Sequence, residues 1–320
     1  MSDANVVVEE SERRLGFLAV AGAYTMWGFL PLYFVFMAFA DPREILGQRI
    51  LWSAPAALVA MIALGGLRGA WRDIRIAMTP RMIGVLALSS IFIFGNWSLY
   101  LWLVLEARVL EASLAYFIAP LVSIGIGVLL FGERISTPVA IALALAALGV
   151  TVQGVAMGGL PWPSLAVCMS WSAYALIRKQ APVPATAGLF VESLVLTPIA
   201  IGLLVWTSHD VGLRFADGGF GQAALLAISG PLTATPLILF AFGARRVSFT
   251  AMGVLQFLAP SIQFLLGLAM GEHFNALSAV AFALIWLGLI VFCWESWMRG
   301  RRFTGKNTKP LSAEADAGRP

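Results

Sequence analysis

Arg49 and Glu192 are ionisable side chains set inside long apolar stretches of the chain. A charge at the centre of a membrane-spanning helix costs about 2.5–3.5 kcal/mol on insertion scales, so each needs a physical reason to be there. If both stretches cross a bilayer, Arg49 lies ~10 Å and Glu192 ~11 Å along its helix from the nearer end, on opposite sides of the midplane. One reading is a central cavity with a cation near one mouth and a carboxylate near the other. In it, Glu192 could take up and release a proton, whereas arginine stays charged and would hold an anionic group. The other reading is a structural ion pair, or an arginine that snorkels to the surface.

Amides, aromatics and prolines accompany these charges. Gln256 and Gln263 are seven apart and would share one face of a helix. Asn96 falls ~9 Å inside its stretch, where an amide can line a path or hydrogen-bond a neighbouring helix. Trp27, Trp52, Trp97, Trp102 and Trp171 divide between interfacial anchoring and packing, and Trp27 and Trp171 could also line a path. Pro31, Pro55, Pro120, Pro198, Pro236 and Pro260 interrupt apolar runs. Each frees a carbonyl and bends the axis, so Pro120 and Pro260 are candidate hinges. Glu111 opens a run, where the helix dipole favours a carboxylate.

Enzyme chemistry lacks its usual parts. No H-E-x-x-H, G-x-S-x-G or nucleotide-binding glycine loop occurs, and His209 and His273 fall between the runs. Cys168 and Cys293 lie inside apolar runs, with no C-x-x-C. No metal or cofactor is expected, and transport powered by ATP within this chain is not expected either. An intramembrane enzyme and a channel remain the alternatives to a carrier; a channel would want a filter-like loop, and none is evident.

The elements that must hold these residues follow from composition. Of 320 residues, 60% are hydrophobic and 12% charged, against about 25% charged in soluble domains. About 20 apolar residues span a bilayer core. Ten such runs are present, at 15–39, 44–64, 82–104, 110–131, 137–156, 162–178, 185–206, 222–243, 247–270 and 276–297. The longer connections are 65–81 and 207–221. The first run is too long, and its leading residues too acidic, for a cleaved signal. Residues 1–14 form an N-terminal tail, and 300–320 are expected to be disordered.

Basic residues set the orientation. With the N-terminus inside, seventeen of the 21 Lys and Arg fall on the inner side; Arg43, Arg108 and Arg214 fall outside, and Arg49 lies within a run. That is the bias of a protein with both termini in the cytoplasm. The basic residues sit between apolar runs and form no stripe suited to nucleic acid.

The chain also repeats itself. Tyr116-Phe117-Ile118-Ala119-Pro120 followed by Gly132-Glu133 parallels Gln256-Phe257-Leu258-Ala259-Pro260 followed by Gly271-Glu272, with the prolines 140 and the glutamates 139 apart. Arg49 precedes Pro55, and Glu192 precedes Pro198, by six positions. Trp27 and Trp171 are 144 apart. The reading is an all-α membrane protein of ten transmembrane helices in two halves, 15–156 and 162–299. Five helices per half would make the halves inverted, an arrangement that recurs in secondary transporters with substrate near the midplane.

Specific stretches carry a resemblance. They are Ala23-Tyr24-Thr25-Met26-Trp27-Gly28, Glu44 to Ser53, Gly95-Asn96-Trp97, and Leu110 to Leu121 leading to Phe131-Gly132-Glu133-Arg134. The second half adds Arg178-Lys179, Glu192, Pro236, Gln256, Pro260 and Gly271-Glu272. On these the chain resembles the RarD proteins of the EamA group in the drug/metabolite transporter superfamily. The resemblance implies two EamA repeats and movement of a small metabolite or drug-like solute across the inner membrane. Gln48 stands where the family usually has His, and Ala119 where it has Asn. Arg49, Glu192, Gln256, Trp27, Trp171, Gln48, Asn96 and Tyr116 are the candidates for substrate binding or coupling, with a proton as a possible coupling ion. The oligomeric state is left open.

Overall fold

The computed structural model describes residues 3–131, 136–244, 246–247 and 255–306. Every regular element among them is a helix. In chain order these are α1 (Asp3–Gly28), α2 (Leu30–Phe36), α3 (Pro42–Ala77), α4 (Pro80–Leu105), α5 (Val109–Phe131) and α6 (Thr137–Ala156). There follow α7 (Trp162–Gln180), α8 (Ala185–Asp210), the single turn α9 (Arg214–Asp217), α10 (Gly219–Ala244), α11 (Leu258–Ala269) and α12 (Ala276–Lys306). The motif Gly132-Glu133-Arg134 lies outside the described residues.

Seven helical stretches among the described residues are long and apolar enough to cross a membrane. A further apolar helix, α11 (Leu258–Ala269), is shorter. Helix α7 falls short for a different reason. It carries Ser164, Ser170, Ser172, Tyr174 and Arg178, which dilute its apolar character while it packs against α4 and α5.

Three local expectations are corrected. The run 15–39 is not one helix but α1 and α2, broken at Phe29. Pro31 has no N–H to give the Trp27 carbonyl, which removes a ladder bond at this break. The connection 65–81 is largely helical: α3 turns at Gly66 (φ 66°, ψ 177°) and runs on to Ala77. Only glycine enters that backbone region without strain. Beyond it, Leu67 and Trp71 are exposed beside Arg68, Arg72 and Arg75, as in a helix lying along a membrane surface. Finally, α12 continues through Lys306, past the point where the tail was expected to begin.

Apolar side chains face outward as well as forming the core, and several ionisable and amide groups lie among the buried residues. Phe36, Val59, Ile91, Val205, Leu265 and Ile290 face outward, while Glu44, Gln48, Arg49, Asn96, Gln153 and Glu192 are buried. Lipid makes an apolar exterior inexpensive and drives polar groups to the interior, where they can be paired.

Helix α3 lies along α8, and α6 along α12. Helix α10 packs on α1 and α3, α7 on α4 and α5, α8 on α4, and α11 on α1 and α5. Small residues permit the closest approaches. A Cβ added at Gly149 would stand 2.8 Å from the Ala281 carbonyl oxygen, and one at Gly288 2.9 Å from that of Ala142. Such backbone proximity is how membrane helices gain packing energy without a hydrophobic driving force between them.

Candidate functional site

Asp41 caps α3, its Oδ1 accepting from the Arg43 N–H at 2.9 Å, and Arg49 follows two turns in. The hydrogen bond from Arg43 holds the Asp41 carboxyl below its ordinary range, although partial burial opposes this. The Arg49 side chain is buried. Its Nε donates to Thr233 Oγ1 on α10 at 3.1 Å. Its guanidinium carbon stands 4.2 Å from the ring centre of Trp97 and 5.4 Å from that of Phe34. Among the described residues no carboxylate pairs with it. Aromatic faces attract a cation but do not neutralise it.

Glu192 on α8 is served differently. Ser89 Oγ on α4 donates to its Oε1 at 2.6 Å, and Tyr174 Oη on α7 to its Oε2 at 3.3 Å. Arg178 Nε lies 3.6 Å from Oε1. The ion pair that the sequence left open between Arg49 and Glu192 is therefore not formed; Glu192 pairs with Arg178. The Arg178 guanidinium passes over Gly188, where any Cβ would overlap it. One of its nitrogens, Nη1, is buried without a hydrogen-bond partner.

A line of rings joins the two charged groups. From Phe34 beside Arg49, ring centres run to Tyr100 at 6.2 Å, on to Tyr116 at 5.7 Å, Trp171 at 6.1 Å and Tyr174 at 5.8 Å. Tyr174 ends on Glu192. Asn96 pins this line from the side. Its Nδ2 donates to the Val167 carbonyl at 2.9 Å, and its Oδ1 accepts from Tyr116 Oη at 3.3 Å. The Tyr100 hydroxyl is buried and has no partner. Arg49, Asn96, Tyr116, Trp171 and Glu192 are thus brought into one continuous cluster.

The remaining candidates lie apart from it. Gln48 accepts from Trp52 Nε1 at 3.1 Å. Trp27 packs on Tyr24 and Phe240 with ring centres 5.3 and 6.1 Å away. Its carbonyl, released by Pro31, accepts from Gln263 Nε2 at 3.0 Å. Gln256 is half-buried in the turn ahead of α11, so only Gln263 is on that helix. Pro120 is interior to α5, whereas Pro260 sits in the first turn of α11, where a missing N–H interrupts no ladder bond.

Sequence reasoning missed Tyr100, Tyr174, Arg178, Ser89 and Thr233. One signal was available: all five tyrosines of the chain lie within apolar runs, an unusual place for a hydroxyl that needs a partner when buried.

The model of the EamA-like transporter family matches residues 14–154. The RarD protein of Streptomyces exfoliatus is 38% identical over 295 residues, covering 92% of each chain. An uncharacterized transporter of Pseudomonas aeruginosa is 39% identical over 90% of this chain and 96% of its own. The RarD protein of Escherichia coli K12 is 33% identical over 92% and 99%. A solved crystal structure, 19% identical, shares the fold with a TM-score of 0.56 over 88% of this chain and 96% of its own.

Proposed function

The chain belongs to the RarD proteins of the EamA-like transporter family, and on that premise we propose that it is a secondary transporter of a small solute, working by alternating access. The observation that carries this reading is the buried Arg49, which has aromatic walls but no carboxylate partner among the described residues, joined by rings to a second buried charge. A buried cation without a counter-charge is complementary to an anionic group of a solute. The orphan Tyr100 hydroxyl adds a donor nearby, and the rings give an apolar body a surface to stack on. Glu192, with two hydroxyl donors and Arg178, is the group that exchanges a proton during the cycle.

Ten helices in two inverted halves carry this site. The packing supports that arrangement: exchanging the halves turns the α1–α10 and α1–α11 contacts into the α7–α4 and α7–α5 contacts, and leaves α3–α8, α5–α11 and α6–α12 unchanged. Gly149 against Ala281 and Gly288 against Ala142 are related by the same exchange, with both members 139 residues apart. The setting is a bacterial inner membrane with both termini in the cytoplasm, supported by the seventeen inward-placed basic residues. In a cysteine-free background, an impermeant thiol reagent should label Gly218→Cys in intact cells and spare Thr304→Cys; the reverse pattern overturns the orientation.

Proteoliposomes test the transport reading. A panel of carboxylate-bearing solutes should show flux that follows a solute or proton gradient without ATP. In stable Glu192→Gln protein, proton-driven flux should fall to background while solute binding persists. Wild-type flux in that variant would end the coupling role, and flux that requires ATP with this chain as sole protein would end the secondary mechanism.

A further inference from the structure

The loop between α11 and α12 borders a cavity of about 310 Å³ that belongs to neither charged cluster. Arg108, Glu111, Gln153, Glu272, His273 and Phe282 are among its lining residues. Its size is at the lower end of small-molecule sites, which run to about 300–1,000 Å³.

The charges are unevenly matched. Glu111 is satisfied by Arg108, whose Nε lies 2.5 Å from Oε1. Glu272 forms no ion pair among the described residues; its oxygens accept the backbone N–H groups of Val109 and, at 2.8 Å, Leu110 at the start of α5. Burial pushes the Glu272 carboxyl above its ordinary value, and those donors oppose the rise. Counting Arg108, Glu111 and Glu272, the lining carries one more carboxylate than guanidinium. Gln153 is the odd member. Only 7% of it is exposed, and its Oε1 has no hydrogen-bond partner. An unpaired buried acceptor is a cost that a leucine at this packing position would avoid. An orphan carbonyl beside an excess carboxylate charge is complementary to a group that is both cationic and rich in N–H donors.

We propose that this cavity binds the primary ammonium group of a small solute, with Gln153 Oε1 accepting from the ammonium, Glu272 supplying the counter-charge, and Phe274 and Phe282 contacting its apolar body. This site is separate from the anion-binding role of Arg49 and stands or falls without it.

Calorimetry on the purified full chain tests it, with phenethylamine as probe and 2-phenylethanol and phenylacetate as comparators. Phenethylamine should bind saturably, and 2-phenylethanol about tenfold more weakly or worse, since it lacks the charged donors. Gln153→Leu should weaken the amine about tenfold, and Gln153→Glu should tighten it, a gain that a misfolded variant could not give. Excess phenylacetate should leave the isotherm in place. Equal affinity for the amine and the alcohol, no saturable binding, unchanged affinity in both Gln153 variants, or displacement by phenylacetate would each overturn the assignment.

Discussion

Arg49 and Glu192 each stand six residues ahead of a proline, yet their surroundings differ in kind. Glu192 is paired: Arg178, Ser89 and Tyr174 all reach its two oxygens. Arg49 has Thr233 and the faces of Trp97 and Phe34, and no carboxylate among the described residues. A buried pair is self-contained, and breaking it strands a charge. A buried cation without its anion is an incomplete interaction, and stability alone gives no reason to keep it. The contrast separates a group that the protein satisfies itself from one that it leaves for something else.

Four substitutions break or sharpen that contrast. The largest effect belongs to Arg178→Met, which strands the Glu192 carboxylate and should cost about 3–5 kcal/mol. Thermal unfolding in detergent measures it, and the double variant Arg178→Met, Glu192→Leu should recover most of the loss. Arg49→Met should do the opposite, leaving stability unchanged or raising it by about 1–4 kcal/mol, because an unpaired buried charge gives way to an apolar side chain of similar size. The same variant should lose affinity for anionic solutes by ~10–100-fold, the worth of a charged hydrogen bond. Equal destabilisation by both arginine variants would erase the distinction between the two sites.

Gly188→Ala comes next. Its Cβ would occupy the space of the Arg178 guanidinium, so the pair must shift, at a cost of about 1–3 kcal/mol. No change in stability would mean that the guanidinium is not held where the structure has it. Smallest is Tyr174→Phe, which removes one long hydrogen bond to Glu192 and should cost about 1 kcal/mol. It should leave anion binding at Arg49 nearly intact, since the ring still spans from Trp171 to the carboxylate.

The membrane class and the positions of most spans were legible in the residues themselves. These are properties of local composition and of linear spacing, and lipid imposes them run by run. The buried charges were legible as problems, because an ionisable group in an apolar run is costly wherever the chain goes afterwards. A bend at Pro31 was legible too, since it follows from one missing N–H, but the run 15–39 still read as one helix. The partners were not. Thr233 reaches Arg49 across 184 positions of sequence, Ser89 reaches Glu192 across 103, and Gln263 reaches the Trp27 carbonyl across 236. Arg178 read as one more inward basic residue at the end of the run 162–178, because its charge was visible and its direction was not. Which face of α7 turns toward α8, and which carbonyl meets which amide, depends on how distant helices pack, and no periodicity within a helix encodes its neighbour. Tertiary structure therefore decided that Glu192 is paired, that Arg49 is not, and that rings run between them.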